Sequence, residues 1–105
     1  MRTRIIGRNF SVTSALQDHT QHQIMASLER FGRSITAVTV RLVDVNGPRH
    51  RGDDKQCGIT IAMTGGRSLY VEDRAADLYA AISGAAHRAS RSVSRMFQRR
   101  TKMHR

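Results

Sequence analysis

Apolar and polar residues alternate along three stretches of the chain, and a spacing of two residues predicts β-strands. The stretches lie at residues 35–45, 57–63 and 69–71. Between the last two stand Gly65 and Gly66, which tolerate the positive φ of a tight turn and therefore predict a hairpin. The alternation places seven apolar side chains on one face of the predicted sheet: Val38, Val40, Leu42, Ile59, Ile61, Leu69 and Val71.

Two other stretches have apolar residues three and four positions apart, which predicts amphipathic helices. The first helix begins after Thr13, a favoured N-cap residue, and we expect it to end at Gly32 in the C′ position. The second begins at Asp73 or Asp77 and continues into the basic end of the chain. A short run from Arg4 to Gly7 is consistent with a first strand. The predicted order is β-α-β-β-β-α.

This order predicts an α+β fold, a two-layer sandwich with both helices on one face of a four-stranded sheet. A chain of 105 residues fits a single domain, 1–105, with a basic tail from about residue 98. The segment from Asn46 to Lys55 contains glycine, proline and aspartate, and we expect a long loop there. The other face of the sheet, with Thr39, Arg41 and Thr60, is expected to be bare.

The second predicted helix carries a row of cations along one side. From His87 to Arg105 the chain has seven arginine or lysine residues and no acid. Five of them fall within about 80° of arc on a helical wheel, apart from an apolar stripe that runs from Leu78 to Met96. Cations on a rigid element suit a phosphate backbone, because each neutralised phosphate releases counterions. The candidate RNA-binding residues are Arg88, Arg91, Arg95, Arg99 and Lys102.

The overall charge favours the same partner. The formal net charge is +10, and 16 of the 18 basic residues are arginine. The planar guanidinium pairs with phosphate and stacks on bases, which favours RNA. A solvated polar face is the alternative for any charged helix, but nothing acidic follows Asp77 to balance this row.

The sequence gives no indication of a membrane protein. No run approaches the roughly 18 apolar residues of a spanning helix, and the start of the chain lacks an apolar secretory core. We therefore expect a cytoplasmic protein without a membrane anchor. The single cysteine, Cys57, lies in an alternating apolar run and is interpreted as a small buried hydrophobic residue.

Five histidines raise the question of a metal site. His19 and His22 are three apart on the first helix, but no further ligands have metal-site spacing, so we expect solvent-exposed histidines and no metal or other cofactor. A protonated imidazole can contact phosphate. His22, Arg30 and His87 are therefore secondary RNA-binding candidates.

The acidic residues do not form a recognisable catalytic pair. Asp53 and Asp54 fall in the predicted loop, where aspartate is typical of turns. Glu72 and Asp73 are neighbours on a strand and therefore point to opposite faces. We expect neither an enzyme nor a small-molecule substrate.

Three stretches in order resemble the ribosome hibernation-promoting factors, the family of ribosome-associated inhibitor protein Y, formerly labelled modulators of sigma-54. They are the opening IIGRNFSVTSAL, the turn TGG and the helix start ADLYAAI with the basic row behind it. The resemblance implies a domain similar to double-stranded-RNA-binding domains, of the family's short class. It would dock at the decoding region of the small ribosomal subunit and exclude tRNA and mRNA.

The resemblance also bears on single residues. It matches Arg88, Arg91 and Arg95 to the basic residues of the family's second helix that face ribosomal RNA, and the helical wheel selects the same three. The family's first helix usually adds basic residues, whereas here its middle reads HTQHQIMASL.

Three functions stay open from the sequence. The leading hypothesis is a ribosome-binding translation inhibitor that acts by steric exclusion and is monomeric when free. The second is a general double-stranded RNA- or DNA-binding module, which would bind simple duplexes about as well as ribosomes. The third is a protein-interaction domain that uses the bare sheet face, and its affinity would survive high salt, where counterion-driven binding fails.

Overall fold

A four-stranded mixed sheet forms one layer of the molecule and two helices form the other. The computed structural model describes residues 1–8, 10–45 and 54–103, of which 99–103 are described by their backbone alone. The elements are β1 (Arg2–Arg8), α1 (Ser14–Leu28), a 3₁₀ segment (Glu29–Ser34), β2 (Ile35–Asp44), β3 (Lys55–Met63), β4 (Ser68–Ala75) and α2 (Leu78–Met103). This order confirms the predicted α+β sandwich.

The strands lie in the order β1-β2-β3-β4 across the sheet. β1 pairs with β2 in parallel because α1 crosses over between them, and the remaining pairs are antiparallel. The turn between β3 and β4 is the predicted hairpin, since Gly65 and Gly66 have φ of 85° and 83°.

Both helices pack on the face of the sheet that the alternation predicted. The inward side chains of β2 and β3 are fully buried, and those of the edge strand β4, Leu69 and Val71, are partly buried. Cys57 lies among them, and burial raises the pKa of its thiol to about 12. The residues that α2 contributes to this core are Ala81, Ile82, Ala85, Ala89 and Val93.

The ends of the helices differ from the predictions. Thr13 caps α1 as expected, because its Oγ1 accepts a hydrogen bond from the backbone N–H of Leu16 at 3.2 Å. However, α1 ends at Leu28 and the chain continues through the 3₁₀ segment, so the prediction of Gly32 as a C′ residue is wrong. The apolar spacing extends to Phe31 because its ring stacks on Phe97, with the ring centroids 5.5 Å apart, and not because α1 reaches it.

The predicted loop at residues 46–55 ends earlier than expected, since β3 begins at Lys55; residues 46–53 lie outside the described residues. Asp54 also forms an ion pair that the sequence did not predict. Its carboxylate is buried and lies 3.2 Å from Lys55 Nζ, which also donates to Asp44 Oδ1 at 2.9 Å. Burial lowers the pKa of Lys55, but the two carboxylates outweigh it and raise that pKa overall.

Candidate nucleic-acid interface

The long helix α2 presents its arginines on one exposed side. Asp77 begins the helix, because its Oδ1 accepts the backbone N–H of Ala80 at 2.8 Å. This contact excludes the alternative start at Asp73, which lies within β4. Arg88, Arg91 and Arg95 are exposed, and at a rise of 1.5 Å per residue they span about 10 Å along the helix axis.

Two members of the predicted set, Arg99 and Lys102, lie outside the residues whose side chains the structure describes. The backbone of α2 remains helical to Met103, so the helical spacing on which their prediction rests is present. The last α2 residue in the core is Val93, with Met96 and Phe97 packed against its edge. The helix therefore continues for about another turn and a half beyond the sandwich.

An open groove of about 750 Å³ runs between α2 and the edge strand β4. Arg88, Arg91 and Arg95 line its helical wall together with His87. The opposite wall is the strand from Tyr70 to Asp73. The structure thus brings one secondary candidate, His87, beside the arginine row.

Asp73 supplies an acid that the sequence of α2 lacks. In the sheet it pairs with Cys57 and so faces the helices, and its Oδ1 lies 3.7 Å from Nε of Arg88. Its carboxylate occupies the place where a Cβ on Gly84 would stand. A side chain at position 84 is therefore incompatible with this placement of Asp73. No sequence pattern indicates this contact, because it depends on the packing of α2 against β4.

The other two secondary candidates lie away from the groove. Nη2 of Arg30 donates to Ser90 Oγ at 3.1 Å, and its guanidinium lies 4.7 Å from the centroid of the Phe31 ring. Arg30 therefore lies where the 3₁₀ segment meets α2. His22 is exposed on α1, and its Nδ1 lies 3.0 Å from the carbonyl oxygen of Asp18 in the same helix.

The first helix does not extend the basic surface. Its exposed residues between Ser14 and Leu28 include Asp18 and no arginine or lysine. The expectation that all the histidines are solvent-exposed is wrong for His19. Its ring is half-buried and meets the ring of Tyr79 edge-on, with the centroids 4.7 Å apart. His19 therefore holds α1 against the start of α2.

The outer face of the sheet carries a second set of cations. The pairing register places exposed arginines from β1, β2 and β4 on the face opposite the helices. Arg41 is predicted on this face from the sequence, but the others are not, because their common face depends on the strand order and register. The five are Arg2, Arg4, Arg8, Arg41 and Arg74.

Among the described residues, no group of three or more histidine, cysteine, aspartate or glutamate side chains could hold a metal ion. Within the same part of the chain, no helix is both long and apolar enough to cross a membrane.

Comparisons with known proteins agree with the fold. The family model described as Sigma 54 modulation protein / S30EA ribosomal protein matches residues 3–101. The crystal structure of the N-terminal domain of Protein Y from Thermus thermophilus is 31% identical, with a TM-score of 0.74 over 91% of this chain and 99% of that one. A ribosomal subunit interface protein from Coxiella burnetii has a TM-score of 0.78 at 13% identity, over 93% and 99% of the two chains, which shows a shared fold alone.

No curated protein sequence gives a significant match. The match to the family model nevertheless covers nearly the whole chain and confirms the resemblance found in the sequence.

Proposed function

The chain belongs to the Sigma 54 modulation protein / S30EA ribosomal protein family, and on this basis we propose that it is a ribosome-associated hibernation factor. It binds the ribosomal RNA of the small subunit at the decoding region through α2. The bound domain excludes tRNA and mRNA from their channel. The observation that carries this proposal is the row of exposed arginines, which lies beside an open groove on a domain of this family.

The chemistry of the row suits a folded RNA backbone. Each guanidinium can present two parallel N–H groups to one phosphate, and residues three and four apart point the same way along a helix. The single tyrosine of α2, Tyr79, is 46% exposed, but it stands at the start of the helix against His19 and not within the arginine row. Recognition through α2 is therefore of phosphates and shape, as is usual for double-helical or folded RNA.

The shape of the domain supports steric exclusion. At 1.5 Å per residue the 26 residues of α2 extend about 39 Å. The sheet lies beneath α2 and forms one wall of the groove, and α1 packs along the other side of α2. A domain anchored along α2 thus fills a channel with its own volume and needs neither a catalytic step nor a cofactor. We propose that it acts as a single cytoplasmic domain that is monomeric when free.

Co-sedimentation with purified bacterial small subunits tests this function. We expect the protein to pellet with the subunits, to be displaced by tRNA together with mRNA, and to be competed for poorly by a plain RNA duplex. Equal affinity for the duplex, or no displacement by tRNA, would contradict the proposed site and favour a general nucleic-acid-binding module.

A matched pair of variants locates the binding surface. Arg91→Gln with Arg95→Gln removes two exposed charges from α2, and Arg33→Gln with Arg67→Gln removes two exposed charges elsewhere. Arg88 is kept, so that Asp73 retains its neighbour. Two lost phosphate contacts lower the affinity for subunits by roughly 25- to 60-fold near 0.1 M salt. The control pair should stay within about threefold, and equal losses for both pairs would show attraction by net charge alone.

A further inference from the structure

The outer face of the sheet, which the helices leave uncovered, has small side chains at its centre and arginines around them. Its centre holds the small side chains of Thr39 and Thr60 beside Gly58. Around it stand the five exposed arginines of the outer face, at one edge on β1, inside the sheet on β2 and at the other edge on β4. The four strands lie about 4.8 Å apart, so the outer face of the sheet is roughly 14 Å wide.

Little on this face neutralises the arginines. Among the outward positions that the pairing register gives for the four strands, Glu72 is the acid. Its Oε2 already accepts hydrogen bonds from Gln56 Nε2 at 2.7 Å and from the phenol of Tyr70 at 2.9 Å. The face therefore has a strong excess of positive charge, and it fits an anionic partner.

The aromatic ring of Tyr70 is held in place on the outer face of the sheet. The phenol end of Tyr70 lies over Gly58, where any Cβ would overlap it, and 57% of the residue remains exposed. Arg41 pairs with Gly58 across β2 and β3, and Glu72 pairs with Gly58 across β3 and β4. The ring is thus held between an arginine and a glutamate in one row across the sheet.

A fixed and exposed ring with cations around it is what a single strand of nucleic acid requires. Bases stack on an aromatic side chain whatever their sequence, while arginines hold the phosphates on either side. A duplex has no unstacked base to offer to Tyr70. The arginines make an anionic strand a better match than a neutral protein surface.

We propose that the outer sheet face is a second RNA-binding surface, which takes an unpaired RNA strand with a base on Tyr70 and its phosphates on the surrounding arginines. This surface lies on the opposite side of the domain from the helices. The domain then holds a folded RNA along α2 and an unpaired strand across the sheet at the same time. The inference does not rest on docking at the decoding region.

Fluorescence anisotropy with a short labelled oligouridine tests the surface on the full chain. Tyr70→Thr removes the ring and keeps a good strand-forming residue, and we expect about a tenfold loss of affinity. Tyr70→Phe retains the ring and should stay within about twofold, because stacking does not need the hydroxyl. Oligouridine binding that is unchanged in Tyr70→Thr overturns the proposal.

Charge variants separate this surface from α2. Arg4→Gln with Arg41→Gln should weaken oligouridine binding by roughly 25-fold or more, while the control pair Arg33→Gln with Arg67→Gln changes it little. The α2 pair described above should lose binding to small subunits and keep most of its affinity for oligouridine. Equal losses of oligouridine affinity in all three pairs overturn the proposal, since they would show nonspecific attraction. Subunit binding can fail independently of this result.

Tyrosine fluorescence gives a direct measure of stacking. The chain has no tryptophan and two tyrosines, so Tyr79→Phe leaves Tyr70 as the sole emitter. We expect oligouridine to quench this emission beyond the inner-filter loss seen with Tyr70→Phe at the same RNA concentration. If oligouridine causes no extra quenching, the proposed RNA strand is not what binds this surface. The same conclusion follows if the protein binds a polyglutamate peptide and has no affinity for oligouridine. Circular dichroism checks that each variant is folded.

Discussion

The helical side and the sheet side of this domain are both rich in exposed arginine, but they are assembled in different ways. On the helical side, Arg88, Arg91 and Arg95 come from one element, and their spacing alone puts them together. On the sheet side, Arg4 and Arg41 come from strands that are separated by α1 and meet only through strand pairing. A site on one helix can be found from the sequence, whereas a site across a sheet needs the register.

The two sides also differ in how they use their acids. Glu72 and Asp73 are neighbours on β4 and face opposite sides of the sheet, as the sequence predicted. Glu72 fixes the ring of Tyr70 on the outer face, while Asp73 approaches Arg88 on the helical face. The acids of β4 therefore contact one side chain on each surface, Tyr70 on the outer face and Arg88 on the helical face. The helical side has an open groove beside its arginines, and the sheet side has an exposed aromatic ring among its arginines.

The largest expected effect is on the affinity of the helical side for small subunits and on the salt dependence of that affinity. Replacing Arg88, Arg91, Arg95, Arg99 and Lys102 with glutamine should abolish association with small subunits while the circular dichroism spectrum stays that of a folded protein. Five lost phosphate contacts flatten the slope of log affinity against log salt by roughly 4 to 5. The measurement is sedimentation across a range of salt concentrations. Undiminished binding would remove α2 from the interface.

A smaller effect tests the contact beneath the arginine row. Replacing a helical glycine with alanine normally stabilises a helix by about 1 kcal/mol. Here Gly84→Ala should instead lower the free energy of unfolding by about 1 kcal/mol, because the new methyl group displaces the Asp73 carboxylate. In an Asp73→Ala background the same change should stabilise the protein by about 1 kcal/mol. Urea unfolding of the four proteins measures both signs, and the same sign in both backgrounds would contradict the packing of Asp73.

Alkaline pH should lower the stability of the fold, and the first group to contribute is Cys57 on the helical side of the sheet. The thiol of Cys57 has an ordinary pKa of 9.0, and burial raises it to about 12. Between these values the unfolded chain releases this proton and the folded chain keeps it, so stability falls as the pH rises. The loss is about 1 kcal/mol by pH 10. Tyr70 and Lys55, whose pKa values are also raised, act at still higher pH.

The variant Cys57→Ala measures how much the thiol contributes to this loss of stability. The variant should lose less stability between pH 8 and pH 10 than the parent protein, whatever its stability at pH 8. A fall of equal size in both proteins would mean that the thiol is accessible in the folded state.

The smallest effect concerns the boundary between the helices. Arg30 already donates to Ser90, so Arg30→Gln should lower subunit affinity by about twofold. Arg91→Gln removes a full phosphate contact and should cost roughly five- to eightfold near 0.1 M salt. Sedimentation of the two single variants at equal salt gives the ranking. A larger loss for Arg30→Gln would extend the interface from α2 onto the 3₁₀ segment that follows α1.

Much of the fold could be predicted because local signals and packing agree. The alternation of β2 and β3, the positive-φ turn at Gly65 and Gly66, and the Thr13 cap each follow from the chemistry of a few neighbouring residues. The end of α1 was missed because Phe31 prolongs the apolar spacing through a contact with Phe97, a residue far along the chain. No local pattern encodes such a contact.

The candidate site divides in the same way. The arginine row of α2 was predictable from the helical wheel, but the approach of Asp73 to Arg88 was not, because it depends on how α2 packs against β4. The burial of Asp54 and Lys55 was also missed. A charged pair at the end of a strand looks like a turn until its partner, Asp44 on β2, is brought beside it.

The place of α2 in the chain has a consequence for how the protein is made. α2 follows every strand along the described chain, yet it supplies Ile82, Ala89 and Val93 to the core over β3 and β4. Chains are synthesised from the N-terminus, so the part of the sheet that α2 covers stays exposed in a nascent chain until α2 has left the exit tunnel. The inner side of the β3–β4 hairpin therefore cannot be buried before α2 is available, and the groove between α2 and β4 forms in the same step as this part of the core.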